Sequence, residues 1–79
     1  MTAALLVEAA ELVAARTTIS PSALQRKLRV GFVKAAQLME ALEDHGLIST
    51  PDRGVSAVLV TPDQLPAALD KIRSGELET

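Results

Sequence analysis

Apolar residues recur at helical spacing in three stretches of the chain and predict three helices around one core. In residues 3–15 one helix face is shared by Leu5, Ala9, Leu12 and Val13, and the two glutamates of this stretch lie off it. The second stretch begins at Ser20-Pro21, where serine can cap a helix and proline fits the first helical position. The third stretch covers residues 32–45 and ends before Gly46, a typical helix-terminating residue.

Short runs of β-branched and apolar residues predict a small sheet. Residues 17–19 could form one strand between the first two helices. Residues 47–49 and 57–60 predict two further strands, joined by a loop that is rich in turn-forming residues. Two strands and a loop that follow a pair of helices indicate a β-hairpin wing.

A last helix is predicted after the wing. Either Thr61 or Asp63 could cap it, and it would end near Arg73. The residues beyond are polar, so we expect one domain over residues 1–74 and a flexible polar tail over residues 75–79. Three apolar residues share the buried face of this helix: Leu65, Leu69 and Ile72.

The second and third helices are joined by a tight turn that contains Val30 and Gly31. Glycine adopts positive φ angles without strain, so we expect Gly31 to change the direction of the chain and Val30 to be buried. Helical spacing predicts an inward arc on the third helix: Phe32, Ala35, Leu38, Met39 and Leu42. The predicted outward arc is Val33, Lys34, Gln37, Glu40, Ala41 and Asp44.

These elements together predict a mainly α fold with a small β wing. The arrangement is a winged helix-turn-helix, with a three-helix core, a β-hairpin wing and a C-terminal helix. In such folds the third helix enters the major groove of DNA with its first turns.

Charge is sorted along the chain, although the net charge of its 79 residues is −2. Residues 12–39 include five basic residues and no acidic one. Because a folded protein presents one face to its partner, this local excess favours nucleic acid more than the total charge suggests. The five basic residues are Arg16, Arg26, Lys27, Arg29 and Lys34.

The charge pattern and the predicted fold indicate binding of double-stranded DNA. The predicted DNA-binding residues are Ser22, Gln25, Arg26, Lys27, Arg29, Val33, Lys34, Gln37 and Arg53. Within this set, Lys27 and the arginines would position the domain on phosphates. Side chains on the outward arc of the third helix, Val33, Lys34 and Gln37, would touch base edges.

Other classes of function find little support in the sequence. There is no cysteine, and the single histidine, His45, has no second histidine near it, so we expect neither a metal site nor a cofactor. No serine has a histidine and an aspartate in evident reach, so no catalytic residue is expected. The apolar runs are far shorter than a membrane span and no leader peptide is visible, so we expect a cytoplasmic chain without membrane contact.

The string SALQRKLRVGFVKAA at residues 22–36, with GLI at 46–48 and VLVTPDQL at 58–65, resembles the γ domain of the FtsK family. The similarity covers nearly the whole chain, and LQRKLRVGF resembles actinobacterial members in particular. FtsK is the septal DNA motor of bacteria, and γ is its C-terminal winged helix. The resemblance implies a module that reads short, polar, G-rich sequences and so orients the motor during chromosome segregation and cell division.

The resemblance also implies partners and a location. The partners are duplex DNA, a parent ATPase motor and a site-specific recombinase, and the location is the nucleoid, or the septum if the motor is anchored in the membrane. The ATPase of the family lies in a separate domain, and this chain has no Gly-rich loop for a nucleotide, so the domain is not expected to be an enzyme. The recombinase contact would fit an acidic patch of Glu40, Glu43 and Asp44.

Several positions depart from the family pattern. The family commonly has Asn and Arg after the aromatic residue, where this chain has Val33 and Lys34, and a further Arg is replaced by Gln37. Before the returning wing strand, Ser56 and Ala57 replace a usual basic residue. Arginine is the commonest reader of guanine, whereas Gln37 could read adenine and Val33 could meet a thymine methyl.

Two other functions stay open on the sequence alone. One is a free-standing winged-helix transcriptional regulator, which would need a self-complementary apolar face to dimerise, whereas an isolated γ domain is expected to be monomeric. The other is a protein-interaction module that has lost DNA reading, which the missing arginines favour.

Overall fold

Helix α1 occupies Ala3–Ala14 in a computed structural model of the chain, which describes residues 3–77. The further elements are, in chain order, strand β1 (Thr18–Ile19), helices α2 (Pro21–Leu28) and α3 (Phe32–Asp44), strand β2 (Ser56–Ala57) and helix α4 (Leu65–Leu77). A mainly helical chain with this order and a small antiparallel sheet is a winged helix. The predicted fold class is therefore confirmed.

The core consists of small and medium-sized aliphatic side chains where α1, α2 and α3 meet, and α4 packs on α1. Alanine takes several central positions: Ala9 and Ala10 on α1 and Ala35 on α3 are fully buried. Small side chains fill little space, so the helices must approach closely to reach the packing density of a protein interior. On α1 the buried face also includes Val13, whereas Leu12 is only half-buried.

Helix α2 begins as the sequence predicts but ends differently. Ser20 caps it, with its Oγ accepting a hydrogen bond from the Ala23 N–H at 3.4 Å, and Pro21 is the first helical residue. At the other end Arg29 adopts the left-handed conformation, with φ 55° and ψ 47°, while Gly31 has φ −77°. The prediction that Gly31 supplies a positive φ angle is therefore wrong, because the left-handed residue of the turn is Arg29.

Helix α3 ends in a Schellman motif, which confirms Gly46 as the terminating residue. Gly46 has φ 73°, and its N–H donates to Glu43 O at 2.9 Å. The Leu47 N–H donates to Leu42 O at 2.9 Å, and both leucine side chains are buried. The motif turns the chain sharply out of α3 and anchors the start of the wing in the core.

The wing is a hairpin whose returning segment lies between two others. On one side β2 pairs antiparallel with β1, so that Ile19 lies opposite Ser56. On the other side Ile48 forms a β-bridge with Val58. The strand predicted at residues 17–19 is confirmed as β1, and it connects the wing to the helical core.

The two wing strands are shorter than predicted. Residues 47–49 hold only an isolated bridge, and β2 ends at Ala57 instead of reaching Val60. Ser49 explains the interruption, because its Oγ accepts the Ala57 N–H at 2.9 Å. A side-chain oxygen thus replaces a backbone acceptor, and the regular ladder of an antiparallel pair stops.

The turn before helix α4 is held by a residue that the sequence did not indicate. Within residues 3–77, neither the side chain of Thr61 nor that of Asp63 accepts a hydrogen bond from α4, and Gln64 instead closes the turn that precedes the helix. Gln64 Oε1 accepts the Thr61 N–H at 3.3 Å, and the Gln64 N–H donates to Thr61 O at 3.0 Å. The inward side chains of α4 include the predicted ones, half-buried or buried: Leu65, Leu69 and Ile72.

The C-terminal end of α4 also differs from the prediction. The helix continues past Arg73 to Leu77. Residues 78–79 of the predicted polar tail lie outside the described residues. The division of the chain into a domain that ends at residue 74 and a tail stays a prediction.

Two serines of the wing are predicted to affect stability in opposite directions. Ser56 is fully buried and its Oγ has no hydrogen-bond partner among the described residues, so Ser56→Ala should raise the free energy of unfolding by about 1 kcal/mol. Ser49→Ala removes the acceptor of the Ala57 N–H and should lower it by about 1 kcal/mol. Urea denaturation followed by circular dichroism measures both changes. A less stable Ser56→Ala variant would contradict the unpaired state of the Ser56 hydroxyl.

Candidate nucleic-acid interface

Helix α3 presents a continuous exposed strip on its solvent side. The buried residues of the helix are Ala35, Leu38, Met39 and Leu42. The exposed residues of the strip are Phe32, Val33, Ala36, Gln37, Glu40 and Asp44, while Lys34 and Ala41 are half-buried at its edges. The strip is neutral over its first two turns and acidic near its end. We call its neutral part, formed by Phe32, Val33, Ala36 and Gln37, the neutral strip.

Phe32 is the main exception to the predicted arcs, because 68% of its surface is exposed. The angular position of Phe32 around the axis of α3 lies partly on the core side, and for this reason helical spacing predicts that Phe32 is buried. Phe32 is however the first residue of α3, and helical side chains lean toward the N-terminus of their helix. No preceding turn of α3 can cover the ring, and this accounts for its exposure. The prediction of Phe32 as a core residue is wrong.

Helix α2 packs against α3 and carries four of the predicted contact residues. Ser22, Arg26 and Lys27 are exposed, and Gln25 is half-buried. Ser22 and Arg26 are four residues apart and so share one face of the helix. Arg26 and Lys27 lie in the last turn, where positive charge also interacts favourably with the helix dipole.

Arg29 and Arg53 are the two non-glycine residues with positive φ angles among residues 3–77, at 55° and 56°. This conformation costs an L-residue about 1–2 kcal/mol that glycine avoids. Such strain concentrates at functional positions. Both side chains are exposed, and both belong to the predicted phosphate-contacting set.

The wing ends in a two-residue turn with Arg53 at its tip. Asp52 and Val55 exchange two backbone hydrogen bonds, of 2.8 and 3.1 Å. Between them Arg53 and Gly54 both have positive φ angles, which is the geometry of a type I′ turn. The turn holds Arg53 at the end of the hairpin as the sequence predicts, while its contact with DNA stays a prediction.

The predicted DNA-binding residues of α2 and α3 lie on two helices that pack against each other, whereas Arg53 lies on the wing. Within residues 3–77 no ion pair joins a carboxylate to the basic residues of α2, the turn, α3 or the wing tip. Arg16 differs from them, because its Nε donates a hydrogen bond to Thr18 O at 3.2 Å and so contacts the backbone of β1. Unpaired, exposed cations beside a neutral strip suit a polyanionic partner.

The predicted acidic patch is divided by the structure. Glu40 and Asp44 are exposed and line a shallow, open depression on α3. Glu43 is half-buried, and its Oε2 accepts a hydrogen bond from Thr50 Oγ1 at 2.9 Å. Glu43 therefore connects α3 to the wing, and protein docking by the three acids stays a prediction.

Residues 3–77 contain neither a cluster of metal ligands nor a membrane-spanning helix. In that part of the chain, no group of three or more His, Cys, Asp or Glu side chains is placed to hold a metal ion. No helix there combines the length and the apolar character needed to cross a bilayer.

The helix-turn-helix and the wing correspond to a known family. The sequence profile of the FtsK gamma domain matches residues 2–60, which include α1, α2, α3 and the wing. The chain belongs to the FtsK gamma domain family. The predicted resemblance is thereby confirmed.

Proteins named DNA translocase FtsK contain segments similar to this FtsK gamma domain. The protein of Streptomyces coelicolor is 50% identical over 76 residues, which are 94% of this chain and 8% of that protein. The protein of Mycobacterium tuberculosis is 48% identical over 69 residues, or 85% of this chain and 8% of that protein. The protein of Tropheryma whipplei is 49% identical over 73 residues, or 90% of this chain and 10% of that protein. The FtsK gamma domain described here thus spans 8–10% of the length of these relatives.

Substitution by glycine and by alanine is predicted to affect stability in opposite order at Arg29 and at Arg26. Because Arg29 has φ 55°, Arg29→Gly should be more stable than Arg29→Ala by about 1 kcal/mol. Arg26 lies inside α2, so Arg26→Ala should be more stable than Arg26→Gly by about 1 kcal/mol. Urea denaturation of the four variants gives the ranking, and the same order at both positions would argue against a left-handed Arg29.

Proposed function

We propose that this domain binds double-stranded DNA and reads short orienting sequences of the chromosome for a DNA translocase motor. The observation that carries the proposal is the neutral strip on the first two turns of α3, which is exposed and adjoins the unpaired cations of α2 and the turn. The major groove of DNA is wide enough to admit a helix, and a recognition helix enters it with its N-terminal residues. In this proposal the domain acts by binding and is not itself an enzyme.

The contacts divide into two groups by chemistry. Arg26, Lys27, Arg29 and Arg53 position the domain on phosphates, and Ser22 adds a hydroxyl at the N-terminal end of α2. Base reading falls to the outward side chains of α3. Gln37 has the amide donor and acceptor that suit adenine, Val33 offers methyl groups, and Lys34 at the edge of the strip offers a donor to guanine.

The acidic end of α3 limits how the helix enters the groove. Glu40 and Asp44 follow the neutral strip on the same exposed side. Carboxylates are repelled by phosphates, so only the first two turns of α3 can approach the DNA closely. The domain therefore binds with the start of α3 toward the base edges and the end of α3 directed away.

The parent of the domain is proposed from its relatives. Those relatives are named DNA translocase FtsK, and the domain corresponds to a small part of each. We therefore propose that it serves an ATPase motor that lies outside this chain and that it acts on chromosomal DNA near the division septum. Contact with a site-specific recombinase through Glu40 and Asp44 belongs to the same proposal.

Band-shift titration tests DNA binding directly. The chain is titrated against a G-rich duplex, a scrambled duplex of the same composition, and a library of duplexes with a randomised centre. We expect a shift at low salt for every duplex and enrichment of particular sequences from the library. Unchanged mobility of all duplexes at low salt would refute DNA binding, and a shift without enrichment would refute sequence reading alone.

Arg26 is predicted to contribute to affinity without contributing to sequence preference. Arg26→Ala should weaken binding to enriched and scrambled duplexes by a similar factor and reduce the slope of log K against log salt by about 1. Lys71→Ala is the matched control, because it removes an exposed cation on α4, outside the proposed interface, and should leave the slope unchanged. Equal effects of the two variants would show that only total charge matters.

Gln37 is predicted to contribute to sequence preference. Gln37→Ala should weaken binding to the enriched duplex by about 1–3 kcal/mol and should change binding to the scrambled duplex much less. Asp44→Asn changes a residue on the same exposed side, near the end of α3, and should leave the ratio of the two affinities unchanged. An unaltered ratio in Gln37→Ala would remove Gln37 from the base-reading set.

A further inference from the structure

The most exposed apolar surface of α3 lies at its very start. Phe32 and Val33 have 68% and 69% of their surfaces exposed, and Ala36, one turn after Phe32, is exposed as well. We call these three residues the apolar tip. Exposed phenylalanine and valine next to each other leave apolar surface in water, which is unfavourable unless a partner covers it.

The fold leaves the apolar tip free for a partner. Phe32 is the first residue of α3, so no earlier turn of the helix covers its ring, and the turn Arg29, Val30 and Gly31 leads into it. Gly31, the residue before Phe32, has no side chain that could cover the Phe32 ring. The tip is therefore accessible along the direction in which α3 begins.

The chemistry beside the apolar tip narrows the choice of partner. Arg29 lies three residues before Phe32, Lys34 lies between Val33 and Ala36 in the sequence, and Arg26 lies on the helix packed against α3. A partner that covers the tip must carry apolar groups between negative charges. Duplex DNA offers this combination in its major groove, where the C5-methyl group of thymine is the apolar group between two phosphate backbones.

We propose that Phe32, with Val33 and Ala36 beside it, packs on thymine methyl groups in the major groove and makes the domain select thymine at the position that it covers. This inference rests on the proposed DNA binding and adds Phe32 and Ala36 to the base-contacting residues. It also agrees with the proposed role of Gln37, because glutamine reads adenine and adenine pairs with thymine.

Replacement of thymine by deoxyuridine tests the contact at the level of one methyl group. Duplexes enriched from the randomised library are resynthesised with each thymine replaced in turn by deoxyuridine, which lacks only the C5-methyl group. The wild-type chain should bind the substituted duplex about fourfold more weakly at the contacted position, as expected for one buried methyl group. Phe32→Ala should lose most of this difference between the thymine and deoxyuridine duplexes at that position, because only Val33 and Ala36 remain beside the methyl group.

Two further variants separate a specific contact from a general loss of apolar surface. Phe32→Leu keeps an apolar side chain and should retain part of the sensitivity to deoxyuridine. Leu59→Ala removes an apolar side chain that is 54% exposed on the wing and should retain all of it. Circular dichroism checks that Phe32→Ala is folded, which its exposure leads us to expect, because little core contact is lost.

The results distinguish this inference from the proposed function. Binding of a duplex with no sensitivity to deoxyuridine at any position would overturn the thymine contact and leave DNA binding intact. The same fourfold loss in Phe32→Ala as in the wild-type chain would remove Phe32 from the contact. If no duplex is bound by the wild-type chain, the proposed function fails and the inference fails with it.

Discussion

Full burial of Leu38 and Leu42 sets the rotation of α3 about its own axis, and the rest of the binding surface depends on that rotation. Successive residues of a helix are about 100° apart, so a turn by one residue would carry polar side chains such as Gln37 toward the core. A buried amide without partners costs about 1–3 kcal/mol, and the leucines would lose their contacts at the same time. The core of α1 and α2 thus selects which side chains of α3 face outward.

The exposed side of α3 differs in kind from the pattern usual in the family. Val33 and Gln37 lie at the centre of that side, where the family commonly carries Asn and Arg, and Lys34 is at its edge. Without arginine, this side lacks a planar guanidinium group that can form two parallel hydrogen bonds. Val33 contributes apolar surface instead, and Gln37 contributes one amide. In the proposed complex with DNA this surface would suit A·T pairs, and the cations on α2 and in the turn would supply the contacts that are independent of sequence.

Local signals in the sequence account for most of the helices. Ser20 and Pro21 mark the start of α2 and Gly46 marks the end of α3, because caps depend on the chemistry of one or two residues. The exposure of Phe32 could not be predicted from helical spacing. Helical spacing gives only the angle of a side chain around the helix axis, whereas Phe32 is exposed because it is the first residue of α3. The left-handed conformation of Arg29 likewise depends on how α2 and α3 pack, and the short wing strands depend on one side-chain hydrogen bond of Ser49.

For the candidate site, the sequence identified the cations, but only the packed structure shows that Glu43 bonds to Thr50 while Glu40 and Asp44 stay free of the wing.

The position of β2 between β1 and the segment that contains Ile48 has a consequence for how the molecule folds. The hairpin itself is local, but Ser56 and Ala57 must also find a strand that precedes α2, far back in the chain. Pairs of large sequence separation form late, because the intervening chain must first be ordered. Pairing of β2 with β1 therefore closes a loop of the chain that contains both α2 and α3. Once formed, it makes the wing part of the same cooperative unit as the helices, so that the wing cannot open alone without breaking its pairing with β1.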